Sequence, residues 1–489
     1  MAFTKSPEMS TYQTTRVSLT REINARDGGQ AGKDEDFVNM FIEPVRARNA
    51  QDNRQFIVKR AGTEVKVPTV GPTEVRGVYF WKDQNKLLYA VGQNIYIYDV
   101  NAGTTVTLTT AFTTSTGEVG FCSYLYEDNT VVVMATDGTT LNRITTAGAV
   151  TACTDPDMPT PHLPYPVFID GYLFLVKTGT ADVYNSDLND PMAWTAGDLI
   201  SAEMEGDLVI RIAKLNNYLI VFGTETVEYF WDAGNATGSP LQRNDTPVKM
   251  NTYLGGFAQY ENAVYFMGAG AGGQPDVYML KDFKIDNLGS PTVSRYLSYV
   301  TEDSASWHGA IVSCSGHSFY LINAGATQTW AYDLETKLWA RWKYKQTDTF
   351  QIKHSALVKQ TNGIRTYFTM EGSSSEINAF SESLYQDAGT NFTCQLVTES
   401  NDFGTMNRKM MARWSYIGDR PNNTSYAYLS WSDDDYQSYN TPQAVNLDQD
   451  LCSIYRLGWF RQRNFKLTYT DNYPMRVQEF EVDINKGSS

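Results

Sequence analysis

The sequence predicts an all-β chain: a β-propeller of about six to eight blades, best counted as seven, followed by an antiparallel β-sandwich-like domain. Three observations carry this expectation. Of the 489 residues 13% are aromatic, with 31 Tyr, 23 Phe and 10 Trp, a composition suited to strands. No window of 12 residues places apolar side chains at helical spacing between good caps. Short β-runs broken by polar turns recur with a mean step of about 46 residues, the length a four-stranded blade requires.

Along the chain, residues 1–60 do not fit the repeat. They are polar, with Gly28-Gly29 and an Asp34-Glu35-Asp36 run, and read as an arm that threads onto a neighbour or closes a ring. Repeating units then begin near 77, 119, 167, 209, 256, 311 and 355. Each has a first strand, a tight turn and a second apolar strand. Asp170-Gly171 leads into Tyr172-Leu173-Phe174-Leu175-Val176, and Asn216-Asn217 into Tyr218-Leu219-Ile220-Val221-Phe222. Asn, Asp and Gly suit such turns because they tolerate positive φ or bond their own backbone. The pattern breaks near 384–392. Beyond it, strictly alternating strands such as Arg476-Val477-Gln478-Glu479-Phe480-Glu481-Val482 suit sheets with one buried face. The expected division is an arm at 1–60, a propeller at 61–385 and a C-terminal β-domain at 386–489.

Composition excludes several functions. A net charge of −15 and a pI near 4.8 oppose nucleic-acid wrapping, which needs clustered Lys and Arg. Residues 390–489 carry 10 basic and 12 acidic groups, so nearly all the negative excess lies in the first 389. No apolar run has the length of a membrane span, and the first residues do not read as a secretory signal. The 5 Cys are scattered without a CxxC pair and read as reduced, buried thiols of a protein made in a cytoplasm.

Motifs for chemistry are weak. His162, His308, His317 and His354 show no metal-binding spacing, and only His308 and His317 are near neighbours in sequence. There is no GxSxG elbow. The Gly-rich run from Gly268 to Gly273 lies between strands, so it cannot cradle phosphate at a helix N-terminus. Ser432-Asp433-Asp434-Asp435-Tyr436 is a degenerate form of the Asp-box turn of sialidase-like propellers, and it lacks the spacing of a calcium loop. The cluster from Tyr455 to Lys466 interleaves aromatics with Arg461 and Arg463, which on one strand face pair with carboxylates of a neighbouring strand or subunit. No catalytic, cofactor-binding or metal-binding residues are assigned, and no cofactor is expected.

The most specific stretch is Gly223-Thr224-Glu225-Thr226-Val227-Glu228-Tyr229-Phe230-Trp231. It resembles the signature of the tail hub, or nozzle, proteins of short-tailed bacteriophages, the packaged-DNA stabilisation family. Two stretches in the same chain order agree. Phe37-Val38-Asn39-Met40-Phe41-Ile42-Glu43-Pro44 with Arg60-Ala61-Gly62 resembles the family's entry segment, with Ala61 where Pro is usual. Asn407-Arg408-Lys409, the Ser432 turn and Leu457-Gly458-Trp459-Phe460-Arg461 resemble its C-terminal β-domain. Gly223, Glu225, Val227, Glu228, Tyr229, Asn39, Glu43 and Pro44 are thus family-signature residues of structural kind. Arg408, Lys409, Arg461 and Arg463 are candidate subunit-interface residues.

The resemblance implies a non-enzymatic virion protein, assembled in the host cytoplasm as a homo-oligomer, typically a hexamer, beneath the portal-adaptor ring. Its partners would be the tail adaptor, a tail fibre or spike, and a needle or plug. DNA would pass through its channel without specific binding. The acidic excess of residues 1–389 fits a lumen that repels phosphate. The competing readings are a glycan-binding or glycan-hydrolysing propeller, which needs convergent carboxylates and Arg in a pocket, and a scaffold propeller that binds other proteins.

Overall fold

The computed structural model describes residues 12–17, 19, 36–44 and 55–487, apart from 236, 245–246, 271, 326, 348, 361–362, 373–374 and 422. Most of the expected arm at 1–60, including Gly28-Gly29, lies outside the described residues.

Each of the seven sequence units is an antiparallel strand pair. Asp170 has φ 46° and Gly171 φ 86°, the conformation a two-residue hairpin turn demands. Asn216 at φ 54° and Ser315 at φ 52° turn the later hairpins in the same way.

The strands form eight separate sheets. Sheet 1 contains Val75–Trp81, Lys86–Val91, Asn94–Asp99 and Thr104–Thr110. Sheet 2 starts at Gly120–Leu125, sheet 3 at Val167–Ile169, sheet 4 at Val209–Leu215 and sheet 5 at Asn251–Thr252. Sheet 6 starts at His308–Cys314 and sheet 7 at Ile352–Gln360. Sheet 8 joins Met40–Pro44 and Gln55–Lys59 to Arg476–Lys486, Lys409–Gly418 and Ser453–Phe460. Gln13–Val17 pairs along Arg476–Lys486.

This corrects the expected propeller of about six to eight blades with an appended sandwich-like domain. No sheet closes on itself, and the sheets differ in size from four to nine strands. Sheet 6 continues past Trp339–Trp342 through Asp36–Val38, Cys394–Val397 and Asn464–Tyr469 to Tyr426–Ser432 and Gln443–Asn446. Sheet 7 takes Gly62–Val67 beside Ile377–Ser381. The physical reason is edge pairing. A strand edge left open by one segment is a template for any strand delivered to it, and the terminal segments supply strands that the local period does not contain.

Packing of faces holds sheets 1 to 7 in succession. The inner strands of consecutive sheets touch, and Ile352–Gln360 of sheet 7 returns to touch Val75–Trp81 of sheet 1. Each junction carries an apolar cluster, such as Leu88, Ala90 and Ile95 with Val133, Ala135 and Ile144 between sheets 1 and 2. Tyr89, Tyr96 and Tyr98 meet Val358, Tyr367 and Ala379 between sheets 7 and 1. Burial of about 25 cal/mol per Å² of apolar surface at each junction supplies the cohesion. The approach is closest at the inner strands: a Cβ at Gly120 would overlap the Pro164 carbonyl oxygen. The largest cluster joins sheets 6, 7 and 8 and contains Trp342, Phe350, Phe368, Phe380 and Trp414.

One helix interrupts the pattern. Pro291–Tyr299 is capped by Ser290, whose side chain accepts from the Val293 N–H, and Pro291 stands in its first turn. It buries Val293 and Leu297, one turn apart, against the cluster between sheets 5 and 6. Its nine residues lengthen the unit that begins near 256 and are too few to show a helical pattern over 12 residues.

Candidate functional site

The signature stretch is a capped turn feeding a buried strand. The Asp207 carboxylate accepts from the N–H groups of Glu225 at 2.8 Å and Thr226 at 3.0 Å, and from the Thr226 hydroxyl. A Cβ at Gly223 would overlap Asp207 Oδ2, so the turn requires glycine there. Val227, Glu228 and Tyr229 are buried, while Glu225 is exposed. Glu228 accepts from the Met204 N–H at 3.1 Å and lies 2.7 Å from Arg243 Nε. Burial pushes its carboxyl up, against the pull of those partners. Burial also pushes the Tyr229 phenol up to about 12.

Asn39 belongs to a buried polar network. It adopts φ 56°, its Oδ1 accepts from Arg60 Nε at 3.0 Å and the Lys343 N–H at 2.8 Å, and its Nδ2 donates to the Thr393 carbonyl. The Arg60 guanidinium is fully buried and forks onto Asp387 at 3.0 and 2.6 Å. It also donates to the carbonyls of Ala61 and Lys343, and it stacks 3.9 Å from the Phe392 centroid. Glu43 pairs with Arg476 at 2.9 Å, and Pro44 is exposed beside it.

The four basic interface candidates separate into two pairs. Lys409 is buried and its ammonium donates to the carbonyls of Thr405 and Asn407. Arg463 is buried and forks onto Asp433 at 2.7 Å for both contacts. Arg408 and Arg461 are exposed; Arg408 lies over the Trp459 ring, and Arg461 donates to the Met406 carbonyl. The Ser432 run is a self-bonded turn, with Asp434 accepting from Ser432 and from the Ser438 N–H.

The histidines also sort. His162 is buried between the Thr136 hydroxyl at 2.6 Å and the Pro159 carbonyl at 2.7 Å. His317 bonds Asp333 at 2.8 Å. His308 and His317, close in sequence, stand at opposite ends of one strand pairing, opposite Asn323 and Cys314 respectively. His308 instead shares a cavity with His354.

That cavity, about 1400 Å³, lies between the inner strands of sheets 1 to 7. Each sheet contributes a residue at one phase of the repeat: Arg76, Glu118, Tyr165, Arg211, Phe257, His308 and His354. Their spacing of 42 to 51 residues is the signal by which the sequence could have revealed them. A second cavity of about 270 Å³ shares Glu118, Tyr165, Arg211 and His354 with the first.

The Tyr165 hydroxyl donates to Glu118 at 2.6 Å, and Arg211 lies 4.0 Å from the Tyr165 centroid and 5.0 Å from that of Phe257. Burial pushes the Glu118 carboxyl up, but nearby positive charge, chiefly Arg211 at neutral pH, and the Tyr165 hydrogen bond hold it below its ordinary value. Burial lowers His354 to about 4, which leaves it neutral at pH 7. The lining carries Arg76, Lys82, Arg211 and Lys353 against Glu74, Glu118 and Glu371, so it is not an acid-lined surface. Among the described residues no group of three His, Cys, Asp or Glu could hold a metal ion.

Residues 27–356 match the family model Phage_stabilise, described as bacteriophage P22 Gp10, beta-propeller. The chain belongs to this family. A Phage_stabilise protein is a structural phage tail protein concerned with DNA stabilisation, not an enzyme, and it works among other tail components. No curated protein matches the chain. Among solved structures, virginiamycin B lyase from Staphylococcus aureus is 13% identical, with 66% of this chain and 98% of that chain covered and a TM-score of 0.43. A streptogramin B lyase is 12% identical, with 67% and 97% covered and a TM-score of 0.41. The N-terminal domain of Nup159 is 10% identical, with 71% and 100% covered and a TM-score of 0.39. Likenesses this slight say nothing about what the chain does.

Proposed function

We propose that this Phage_stabilise protein is the tail hub, or nozzle, of a short-tailed phage. In this reading it extends the DNA channel below the portal adaptor, retains packaged DNA, and docks tail fibres or spikes and a needle. It acts as a homohexamer assembled in the host cytoplasm. The family match over residues 27–356 is the observation that carries the reading. The division into 1–60, 61–385 and 386–489 belongs to it.

An exposed aromatic edge supports assembly. Ser453–Phe460 is the outer strand of sheet 8, and on it Tyr455 is 58% and Trp459 51% exposed. Arg408 stacks on Trp459 and Arg461 is close in sequence. Aromatic and Arg side chains on an open strand edge are the usual anchors of protein interfaces. The other two basic candidates, Lys409 and Arg463, then act by shaping this edge from inside.

The test is electron microscopy and native mass of the protein, alone and mixed with its adaptor. Six copies around an open channel are expected, and Trp459→Ala with Arg408→Ala should lower the ring fraction at least about tenfold, as hot-spot truncations do. Failure to form any ring with the adaptor present overturns the reading.

A further inference from the structure

The cavity between the inner strands leaves charged groups open. The Arg211 side chain has no hydrogen bond or ion pair among the described residues; its guanidinium only stacks on Tyr165 and Phe257. The other arginine of the lining is the reverse. Arg76 donates to the carbonyls of Gly92, Thr114, Thr116 and Gly117 and to the Thr114 hydroxyl at 2.6 to 2.9 Å, which saturates its five N–H groups. His354 Nε2 is shielded from solvent and unpaired. His308 Nε2 lies 3.1 Å from Glu371 Oε2 without hydrogen-bond alignment. Among the described residues the Glu118 carboxylate accepts only from the Tyr165 hydroxyl, so one of its oxygens can accept another proton donor. The two imidazole nitrogens are closed off from the cavity, but Arg211 and Glu118 meet it with donors and an acceptor to spare, which calls for an explanation.

We propose that the cavity binds a small hydroxylated monocarboxylate, the class of the sugar acids, with the ligand carboxylate on Arg211 and a hydroxyl on Glu118. Each part of the class follows from the lining. A planar guanidinium held between two rings presents its N–H edge, and a carboxylate matches that edge with two parallel hydrogen bonds. The lining as a whole carries four cations against three acids, but Glu118 stands close to Arg211, so a second negative charge on a ligand held by Arg211 would be repelled there. That disfavours phosphate-rich ligands and nucleic acid. The Glu118 carboxylate accepts from hydroxyls. Tyr79 and Trp307 add apolar carbon to the lining. The volume of about 1400 Å³ exceeds what one such molecule needs. The proposal does not rest on the hub reading.

The test is calorimetric titration of the full chain with glucuronate, with glucose and inorganic phosphate as the neutral and phosphate probes. Saturable binding of glucuronate is expected, at least about tenfold tighter than either control, or about 1.4 kcal/mol. Arg211→Met should weaken it by a further factor of about ten or more, with Arg211→Lys intermediate. Absence of saturable glucuronate binding, tighter binding of phosphate, equal binding of glucose, or full binding by Arg211→Met would each overturn the proposal. Should Arg211→Met fail to fold by circular dichroism, Glu118→Gln serves instead. It removes the repelling charge, so the preference for glucuronate over phosphate should narrow; an unchanged preference counts against the site.

Discussion

Arg60 and Arg211 are both guanidinium groups stacked on aromatic rings, at 3.9 Å from Phe392 and 4.0 Å from Tyr165. Arg60 spends every N–H on Asn39, Ala61, Lys343 and Asp387. Asp387 in turn accepts from the Thr63 hydroxyl and the Lys345 N–H. Arg211 spends none within the described protein. A satisfied network of this kind fastens segments together; it joins residues near 39, 60, 343 and 387 that no local pattern connects. An unsatisfied one contributes little to folding and is kept open for something else. Stacking alone does not distinguish the two roles, whereas counting the partners of each N–H does.

That contrast can be broken or sharpened by measurement. Asp387→Ala strands a fully buried Arg60 cation, and denaturant unfolding should show a loss of about 3–5 kcal/mol. Replacing both partners, Arg60→Met with Asp387→Leu, should cost less than the single change, because no charge is left unpaired. Gly223→Ala drives a methyl into Asp207 and should cost about 1–3 kcal/mol, the range of overpacked sites. Its unfolding midpoint checks this, and Asp207→Ala should not add to it, since the two act on one turn.

The histidines give a smaller, pH-dependent contrast. His354 is held at about 4, so between pH 6.5 and 4 the unfolded chain binds a proton that the folded chain refuses. Stability falls as pH falls through that window, and His354→Gln should flatten the acid limb. For His317, burial pushes down, but the Asp333 hydrogen bond and charge raise the value overall. Its contribution is full below 6.5 and fades as pH rises through the raised value; His317→Gln should flatten that limb. Stability profiles of the two variants check both signs. Smallest of all, Arg211→Met should change stability by less than about 1 kcal/mol, the worth of one stacking contact. A loss like that of Asp387→Ala would place Arg211 with the structural networks.

The sequence shows the seven hairpins because turn chemistry is local: Asp170-Gly171 and Ser315-Gly316 take positive φ where a hairpin requires it. The stretch from Gly223 to Trp231 stood out by its resemblance to a family, whereas its cap, Asp207, lies 16 residues upstream of Gly223 and was not read. Pairing between distant segments was not legible either. Val38 meets Arg341 in a parallel bridge, and Gly62–Val67 enters sheet 7, with nothing in the period to announce either. The expected propeller with a separate sandwich failed at these long-range pairings. The cavity was half legible. Glu118, Tyr165 and Arg211 recur at 47 and 46 residues, yet no spacing within a single unit draws attention to them. The helix at Pro291–Tyr299 announced itself only through Ser290-Pro291, a cap followed by a proline.

The pairing of Gly62–Val67 with Ile377–Ser381 also has a consequence for biosynthesis. Some 300 residues separate the two strands, and a ribosome adding about 5–20 residues per second needs tens of seconds to cover them. Until residue 381 has left the exit tunnel, Gly62–Val67 stays an unzipped tab and the first and seventh sheets cannot meet. The nascent protein therefore spends much of its synthesis with sticky strand edges bare. Nonsense truncations upstream of Ile377 should consequently yield aggregates, not shortened soluble fragments.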